Sequence, residues 1–231
     1  MSSTTAGGCL AANDWLCGEY LRTRDGELLD ATVEHVWITA VSIALALLVA
    51  LPLALAARRW RPARGPVLGV TTVLYTVPSL AMFAILLPFF GLSAAVVVTG
   101  LVLYSLTVLV RNLLAGLESV PPEATEAARG MGYGPGRLLF EVELPLALPA
   151  LLAGVRIATV TGISLTTVGA IVGYGGLGNL IYDGMENYFK AQVLAASALC
   201  VLLAVIADLL LLWLQRALTP WARRGRAGKA G

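Results

Sequence analysis

Five apolar runs, each long enough to form a membrane-spanning helix, dominate the sequence. They cover residues 36–57, 66–90, 93–114, 146–172 and 191–214. A bilayer core about 30 Å thick needs roughly 20 helical residues to cross it. The mean hydropathy of +0.82 and the 13% share of charged residues lie outside the soluble range, in which about a quarter of residues are charged. The chain is therefore predicted to be an integral membrane protein.

These runs are expected to cross the membrane as α-helices. Lipid offers no partners for free backbone groups, and the runs lack the alternating pattern of barrel strands. The predicted fold class is therefore all-α, with about five transmembrane helices. Pro78 falls inside the second run, where the missing backbone N–H should bend the helix.

The distribution of positive charge predicts the orientation of the chain. Cations gather after the first run, between the third and fourth runs, and after the fifth, whereas the other side holds only Arg22, Arg24 and Lys190. The positive-inside rule then places the N-terminus outside and the C-terminus in the cytoplasm. The predicted organisation is an outer segment 1–34 with a short interfacial helix near Tyr20, a transmembrane region 35–215 and a basic tail 216–231. The cytoplasmic cations are Arg58, Arg59, Arg61, Arg64, Arg111, Arg129, Arg137, Arg216, Arg223, Arg224, Arg226 and Lys229.

The longest cytoplasmic loop, residues 116–145, contains the polar stretch EAARGMGYGPGRLLFEVELP. Pro121, Pro122 and Glu123 favour a helix start, and the glycines from Gly130 onward should end that helix. A second short helix is expected before Pro145. Small residues at this surface allow close approach by another protein, but an amphipathic loop lying on the inner membrane surface fits the composition equally well.

The spacing of residues in this loop carries a family resemblance. Glu126, Ala127 and Ala128 are followed after three residues by Gly132, then after nine by Val142, and after one more by Leu144 and Pro145. This pattern resembles the hallmark of permease subunits of bacterial binding-protein-dependent ABC importers, with valine in place of isoleucine at 142. The resemblance implies a type I, methionine-permease-like importer fold. It also implies that the loop is the coupling helix that seats in the ATP-binding subunit.

Further stretches resemble the branch that imports quaternary-amine osmoprotectants. They are EHVWIT at 34–39, TVPSLA at 76–81, VRN at 110–112, ELPLALPALLAGVRIATV at 143–160 and GYGGLGNLI at 173–181. The resemblance implies import of glycine betaine, carnitine, choline or proline betaine across the bacterial plasma membrane. A methionine permease remains an alternative, because the methionine branch has much of the same sequence in the coupling loop and the fourth helix. A secondary transporter working without ATP is a second alternative, for which Asp208 is the one carboxylate within the fifth run.

The same resemblance implies several partners. No GxxxxGK(S/T) motif occurs in the sequence, so ATP and Mg²⁺ are expected in a separate ATP-binding subunit and the chain is expected to hold no catalytic site or cofactor of its own. The five tryptophans lie near predicted membrane edges, as in an aromatic belt, and do not indicate a cage for a quaternary amine. Substrate capture is therefore assigned to an extracytoplasmic binding protein or lipoprotein. A second permease, identical or paralogous, should complete the path, and no nucleic-acid partner is expected.

Two groups of residues are candidates for the translocation path and its outer mouth. Hydroxyls in membrane helices usually bond to their own preceding turn, although those beside Pro78 could line a path. The stretch GYGGLG matches a dinucleotide fingerprint in form, but it follows a membrane helix and not a strand, so we interpret it as a tight turn. The path candidates are Thr76, Pro78, Ser79, Thr161, Ser164, Thr166 and Thr167, and the mouth candidates are Gly175, Gly176, Gly178 and Asn179.

The remaining titratable residues favour structural roles. His35, at the outer start of the first run, is interpreted as an interfacial anchor and not as a proton relay. Asp208 is expected to make a structural contact within the bundle or at a subunit interface, and Arg156 is expected to face protein or the cytoplasmic vestibule. The three cysteines, Cys9, Cys17 and Cys200, have no metal-site spacing. Oxidation of Cys9 with Cys17 is left open.

Overall fold

The computed structural model describes residues 8–221 and is all-helical over that range, which confirms the predicted fold class. A π-helical turn, Leu139–Glu143, joins α7 to α8, and a 3₁₀ segment, Thr167–Val172, follows α8. Residues 222–231 of the predicted basic tail lie outside the described part. The helices are α1 Gly18–Thr23, α2 Asp25–Arg59, α3 Arg61–Thr76, α4 Ser79–Phe90, α5 Ala94–Glu118, α6 Pro122–Gly130, α7 Pro135–Leu138, α8 Leu144–Thr166, α9 Leu177–Glu186 and α10 Lys190–Leu218.

Among the described residues, four helical segments are long and apolar enough to cross a membrane. They are α2, α5, the continuous stretch Pro135–Val172 and α10. Helices α3 and α4 pass the same test only as a pair, bent by 102°. The second apolar run is therefore two helices and not the single helix that its length suggested. Pro78 is the physical reason, because its ring and missing N–H prevent α3 from continuing.

Two compact units make up the structure. The first contains residues 8–42, 77–101 and 160–206. One of its two apolar clusters joins α2, α4, α5 and the 3₁₀ segment around Ile38, Phe83, Val97 and Leu101. The second unit contains residues 43–76, 102–159 and 207–221 and has one large cluster, in which alanines of α2 pack against leucines of α5.

The second apolar cluster of the first unit ties the N-terminal segment down. Cys17 and Tyr20 are buried with Leu180 and Ala191, and Cys9 is disulfide-bonded to Cys17 with a Cα–Cα distance of 5.4 Å. The disulfide that the sequence left open is thus present. It joins the two sulfurs that lie close to the Glu19 carboxylate, in a group with the geometry of possible metal ligands. Burial raises the pKa of the Tyr20 phenol above its usual value, and the Glu27 carboxylate adds to that shift.

The chain changes unit five times along its length. The changes fall within α2, between α3 and α4, within α5, within α8 and within α10. Counting the bent pair as one span, the described residues offer five candidate spans, which is the predicted number. Helix α2, which contains the first apolar run, begins at Asp25, earlier than the run itself. Acidic residues in its first turn interact favourably with the helix dipole.

Cysteine labelling can test the predicted orientation. Arg24 and Arg64 keep 59% and 49% of their side-chain surface exposed, so a cysteine at either position should be reachable from its own side. In a Cys200→Ala background, an impermeant thiol reagent added to intact cells is expected to label Arg24→Cys and to spare Arg64→Cys. After permeabilisation both should react. The reverse pattern in intact cells would contradict the assigned orientation.

Candidate coupling site and translocation path

The loop between α5 and α8 forms the predicted helix, hinge and second helix. Helix α6 starts with Pro122, has Glu123 in its first turn and ends at Gly130. Gly132 follows with φ of +84°, a left-handed conformation that glycine adopts without strain. Its N–H donates to the Arg129 carbonyl at 2.9 Å. The chain then enters α7 and the π-helical turn before α8 begins.

The motif residues divide into an outward and an inward set. Glu126, Ala127 and Gly132 are exposed, whereas Ala128 is 2% exposed. Helix α6 packs against α7 and the π-helical turn, so Ala128 lies on the covered side. The half-buried members of the motif are Val142, Leu144 and Pro145. The exposed set is the part that another protein could contact.

A bidentate ion pair braces this loop against the end of α2. Nη1 and Nη2 of Arg58 donate to Oε2 and Oε1 of the Glu143 carboxylate, each at 2.7 Å. The Glu143 side chain is 9% exposed and that of Arg58 is 29% exposed. A cavity of about 590 Å³ opens beside the pair, and Arg59 and Arg129 also contribute to its lining. The sequence prediction missed this pair, although a glutamate directly before Leu144 and Pro145 was a signal that could have been used.

A second ion pair lies within the apolar part of the bundle. Arg156 of α8 donates to both carboxylate oxygens of Asp208 in α10, at 2.7 and 2.9 Å. The predicted structural role of Asp208 is supported, and Arg156 faces protein as expected. Because its charge is already neutralised by a fixed partner, Asp208 is poorly suited to ion coupling.

The candidate path residues differ in their exposure. Ser164, Thr76 and Pro78 are exposed, and Ser79, Thr161 and Thr167 are half-buried. Thr166 is completely buried, where its hydroxyl contacts that of Thr39 at 3.1 Å and donates to the Gly162 carbonyl at 2.8 Å. A buried side chain cannot line a path, so the prediction for Thr166 is wrong. Its hydroxyl instead links α8 to Thr39 of α2.

The GYGGLG stretch forms a tight, closely packed turn. Gly175, Gly176 and Gly178 are buried, and a Cβ on Gly178 would clash with the Thr167 carbonyl oxygen. The Asn179 side chain closes the turn by accepting from the Gly175 N–H at 2.9 Å and donating to the Gly173 carbonyl at 3.2 Å. The turn leaves no room for a dinucleotide at these glycines.

His35 lies directly against Gly176 of this turn. It is completely buried, and its Nε2–H donates to the Ile163 carbonyl at 3.0 Å. The interpretation of His35 as an interfacial anchor is therefore wrong. The ring joins α2 to α8, and the partner is 128 residues away in the sequence.

Comparison with known proteins places this architecture in a family. The chain belongs to the binding-protein-dependent transport system inner membrane components, which it matches over residues 36–224. It is 37% identical over 87% of its length to the osmoprotectant import permease protein OsmW of Salmonella typhimurium, covering 96% of that protein. It is 38% identical over 88% of its length to the glycine betaine/carnitine/choline transport system permease protein OpuCD of Bacillus subtilis, covering 89% of that protein.

Solved structures agree on the fold. A chain in an inward-facing structure of the MetNI methionine ABC transporter superposes with a TM-score of 0.76 at 21% identity, covering 85% of this chain and 98% of that one. A crystal structure of an amino acid ABC transporter gives 0.73 at 17% identity, covering 87% of this chain and 99% of that one. The predicted ABC importer permease fold is confirmed, and the chain is a multi-pass protein of the inner membrane.

Proposed function

We propose that this chain is the transmembrane permease subunit of an ATP-driven importer of quaternary-amine osmoprotectants. The substrates would be glycine betaine, carnitine, choline or proline betaine. The observation that carries this proposal is the group of relatives named for osmoprotectant, choline or glycine betaine/carnitine/choline transport. They are 32–38% identical over 87–91% of the chain. The family match over residues 36–224 includes both the coupling loop and the candidate path.

The exposed face of α6 is assigned to the ATP-binding subunit, which would hold ATP and Mg²⁺. Glu126 and Ala127 are both exposed on a helix that the rest of the loop holds in place. The Arg58–Glu143 pair links the loop to α2, and the π-helical turn leads directly into α8. A displacement of α6 would therefore be transmitted to two membrane helices at once. Such rigid-body motion is the usual means of switching access.

Substrate capture is assigned to an extracytoplasmic binding protein, and a second permease would complete the path. All five tryptophans are exposed, from 42% for Trp221 to 68% for Trp213. None of them forms a buried cage of the kind that binds quaternary amines. The residues proposed to line this chain's half of the path are Thr76, Pro78, Ser79, Thr161, Ser164 and Thr167.

Transport by the reconstituted complex tests the proposed function. The chain would be purified with its ATP-binding subunit, placed in liposomes and supplied with its binding protein. Uptake of labelled glycine betaine should require internal ATP, and excess carnitine, choline or proline betaine should compete while methionine should not. Competition by methionine alone would favour a methionine permease. Uptake by this chain alone, driven by an ion gradient, would favour a secondary transporter.

A glycine substitution tests the role of the coupling hinge. Gly132→Val is expected to weaken association with the ATP-binding subunit about tenfold, because a left-handed residue with a side chain costs about 1–2 kcal/mol. The measurement is the amount of ATP-binding subunit that copurifies at a fixed salt concentration. Gly130→Val is the matched control, since a Cβ there meets no neighbour and Gly130 has no positive φ. Equal copurification by both variants would contradict a docking role for Gly132.

A further inference from the structure

Residues 8–17 form a disulfide-closed loop, here termed the N-terminal clasp, which is fastened to the connection between α9 and α10. The Asn13 side chain donates from Nδ2 to the Tyr188 carbonyl at 2.8 Å and accepts at Oδ1 from the Lys190 N–H at 3.0 Å. Tyr20 follows the clasp and packs edge-on against Phe189, with 5.2 Å between ring centroids. The clasp is thus held by covalent, polar and aromatic contacts within one unit.

Large apolar side chains project from this fixed segment. Trp15 is 55% exposed and Leu16 is 84% exposed, although Cys17 next to them is buried. Tyr188, whose carbonyl is bonded to Asn13, is 83% exposed and has a positive φ of 53°. An exposed aromatic ring on a preorganised loop loses little conformational entropy on binding, which is why such residues are enriched among interface hot spots.

The charge around the clasp argues against burial of these side chains in lipid headgroups. Anionic membrane surfaces attract clustered lysine and arginine and repel carboxylates. Residues 8–30 contain five exposed acids but only two exposed arginines, and Arg24 is already paired with Glu27 at 2.8 Å. The acids are Asp14, Glu19, Asp25, Glu27 and Asp30. The pattern instead complements a protein surface that carries basic residues around an apolar contact.

The predicted topology identifies the side of the membrane on which the clasp lies, and the family identifies the kind of protein that could contact it. Disulfides persist in oxidising compartments, which agrees with the outer location predicted for this segment. The family is binding-protein-dependent, and its match begins at residue 36, after the clasp. The clasp thus lies outside the range that the family match covers. We propose that Trp15 and Leu16 on the N-terminal clasp form a docking surface for the extracytoplasmic substrate-binding protein, an inference that rests on the proposed function.

Titration with the binding protein tests this docking surface. In the complete complex in lipid nanodiscs, ATP hydrolysis is measured against the concentration of substrate-loaded binding protein. The double variant Trp15→Ser, Leu16→Ser is expected to raise the half-saturating concentration about tenfold or more, and raised salt should weaken docking further. Hydrolysis without binding protein and the rate at saturation should be unchanged. Trp60→Ser, which alters a 65% exposed tryptophan on the predicted cytoplasmic side, should have no effect.

Two results would overturn the inference in distinguishable ways. If the binding protein fails to stimulate the wild-type complex, the proposed function is wrong and the docking surface with it. If stimulation occurs but the double variant titrates like wild type, only the docking surface is wrong. A variant with Trp15 as its sole tryptophan adds a direct test: protection from acrylamide quenching by added binding protein supports docking, whereas quenching by brominated lipids before its addition contradicts it.

Discussion

Glu126→Lys is expected to abolish substrate-stimulated ATP hydrolysis and uptake together while leaving the chain folded in the membrane. The residue is exposed on α6, so reversing its charge disturbs no contact within the described chain that sets folding. At a docking surface, a like charge facing the partner is costly, on the order of 100-fold in affinity. Uptake and hydrolysis by the complex in liposomes provide the measurement.

A graded series controls this prediction. Glu126→Gln keeps the shape of the side chain and removes only the charge, so it should weaken coupling less than the reversal does. Both variants should show the wild-type unfolding temperature in detergent. Near wild-type uptake by Glu126→Lys would show that the ATP-binding subunit docks elsewhere.

Glu143→Ala is expected to destabilise the second unit by about 2–4 kcal/mol. The substitution leaves the Arg58 guanidinium without its bidentate partner in a place where only 29% of its side chain is exposed. Removing one partner of a fully buried pair typically costs about 3–5 kcal/mol, and the remaining exposure of Arg58 lowers that figure. Denaturant unfolding of the detergent-solubilised chain would measure it. A double-mutant cycle with Arg58→Ala should show that the two losses are not additive.

The neighbouring pair in the same loop supplies the control for Glu143→Ala. Arg137 and Glu141 also form an ion pair, but 60% and 49% of their side-chain surfaces are exposed. Water screens an exposed pair, so Glu141→Ala should leave stability unchanged within error. Equal destabilisation by the two variants would indicate a general effect of the loop and would refute a specific brace between α2 and the π-helical turn.

The parts of this fold that could be predicted from sequence are those encoded by neighbouring residues. Apolar runs give the membrane helices because helix length and hydropathy are local properties. The coupling loop could be located because its seven motif residues fall within 20 positions, with a proline at the helix start and a glycine at the hinge. The break at Pro78 was signalled by the residue itself, although its 102° angle was not.

The contacts that were missed join residues far apart in the chain. Arg58 and Glu143 are 85 residues apart, and His35 lies 128 residues from Ile163. No periodicity in either segment encodes such a partner, because the pairing depends on how the helices pack. The same limit explains Thr166, whose hydroxyl looks like a path residue in the sequence but is buried against Thr39. Hydroxyls shared between helices and hydroxyls lining a path have the same sequence signature.

The pair between Arg156 and Asp208 affects how α8 is inserted into the membrane during synthesis. Asp208 is 52 residues downstream, so α8 must be made and delivered to the membrane before its counter-charge exists. An unpaired arginine near the middle of a membrane helix costs roughly 2.5–3.5 kcal/mol during insertion. Helix α8 should therefore stay beside the insertion machinery until α10 arrives, and a nascent chain that ends before Asp208 would expose a charged helix to membrane quality control.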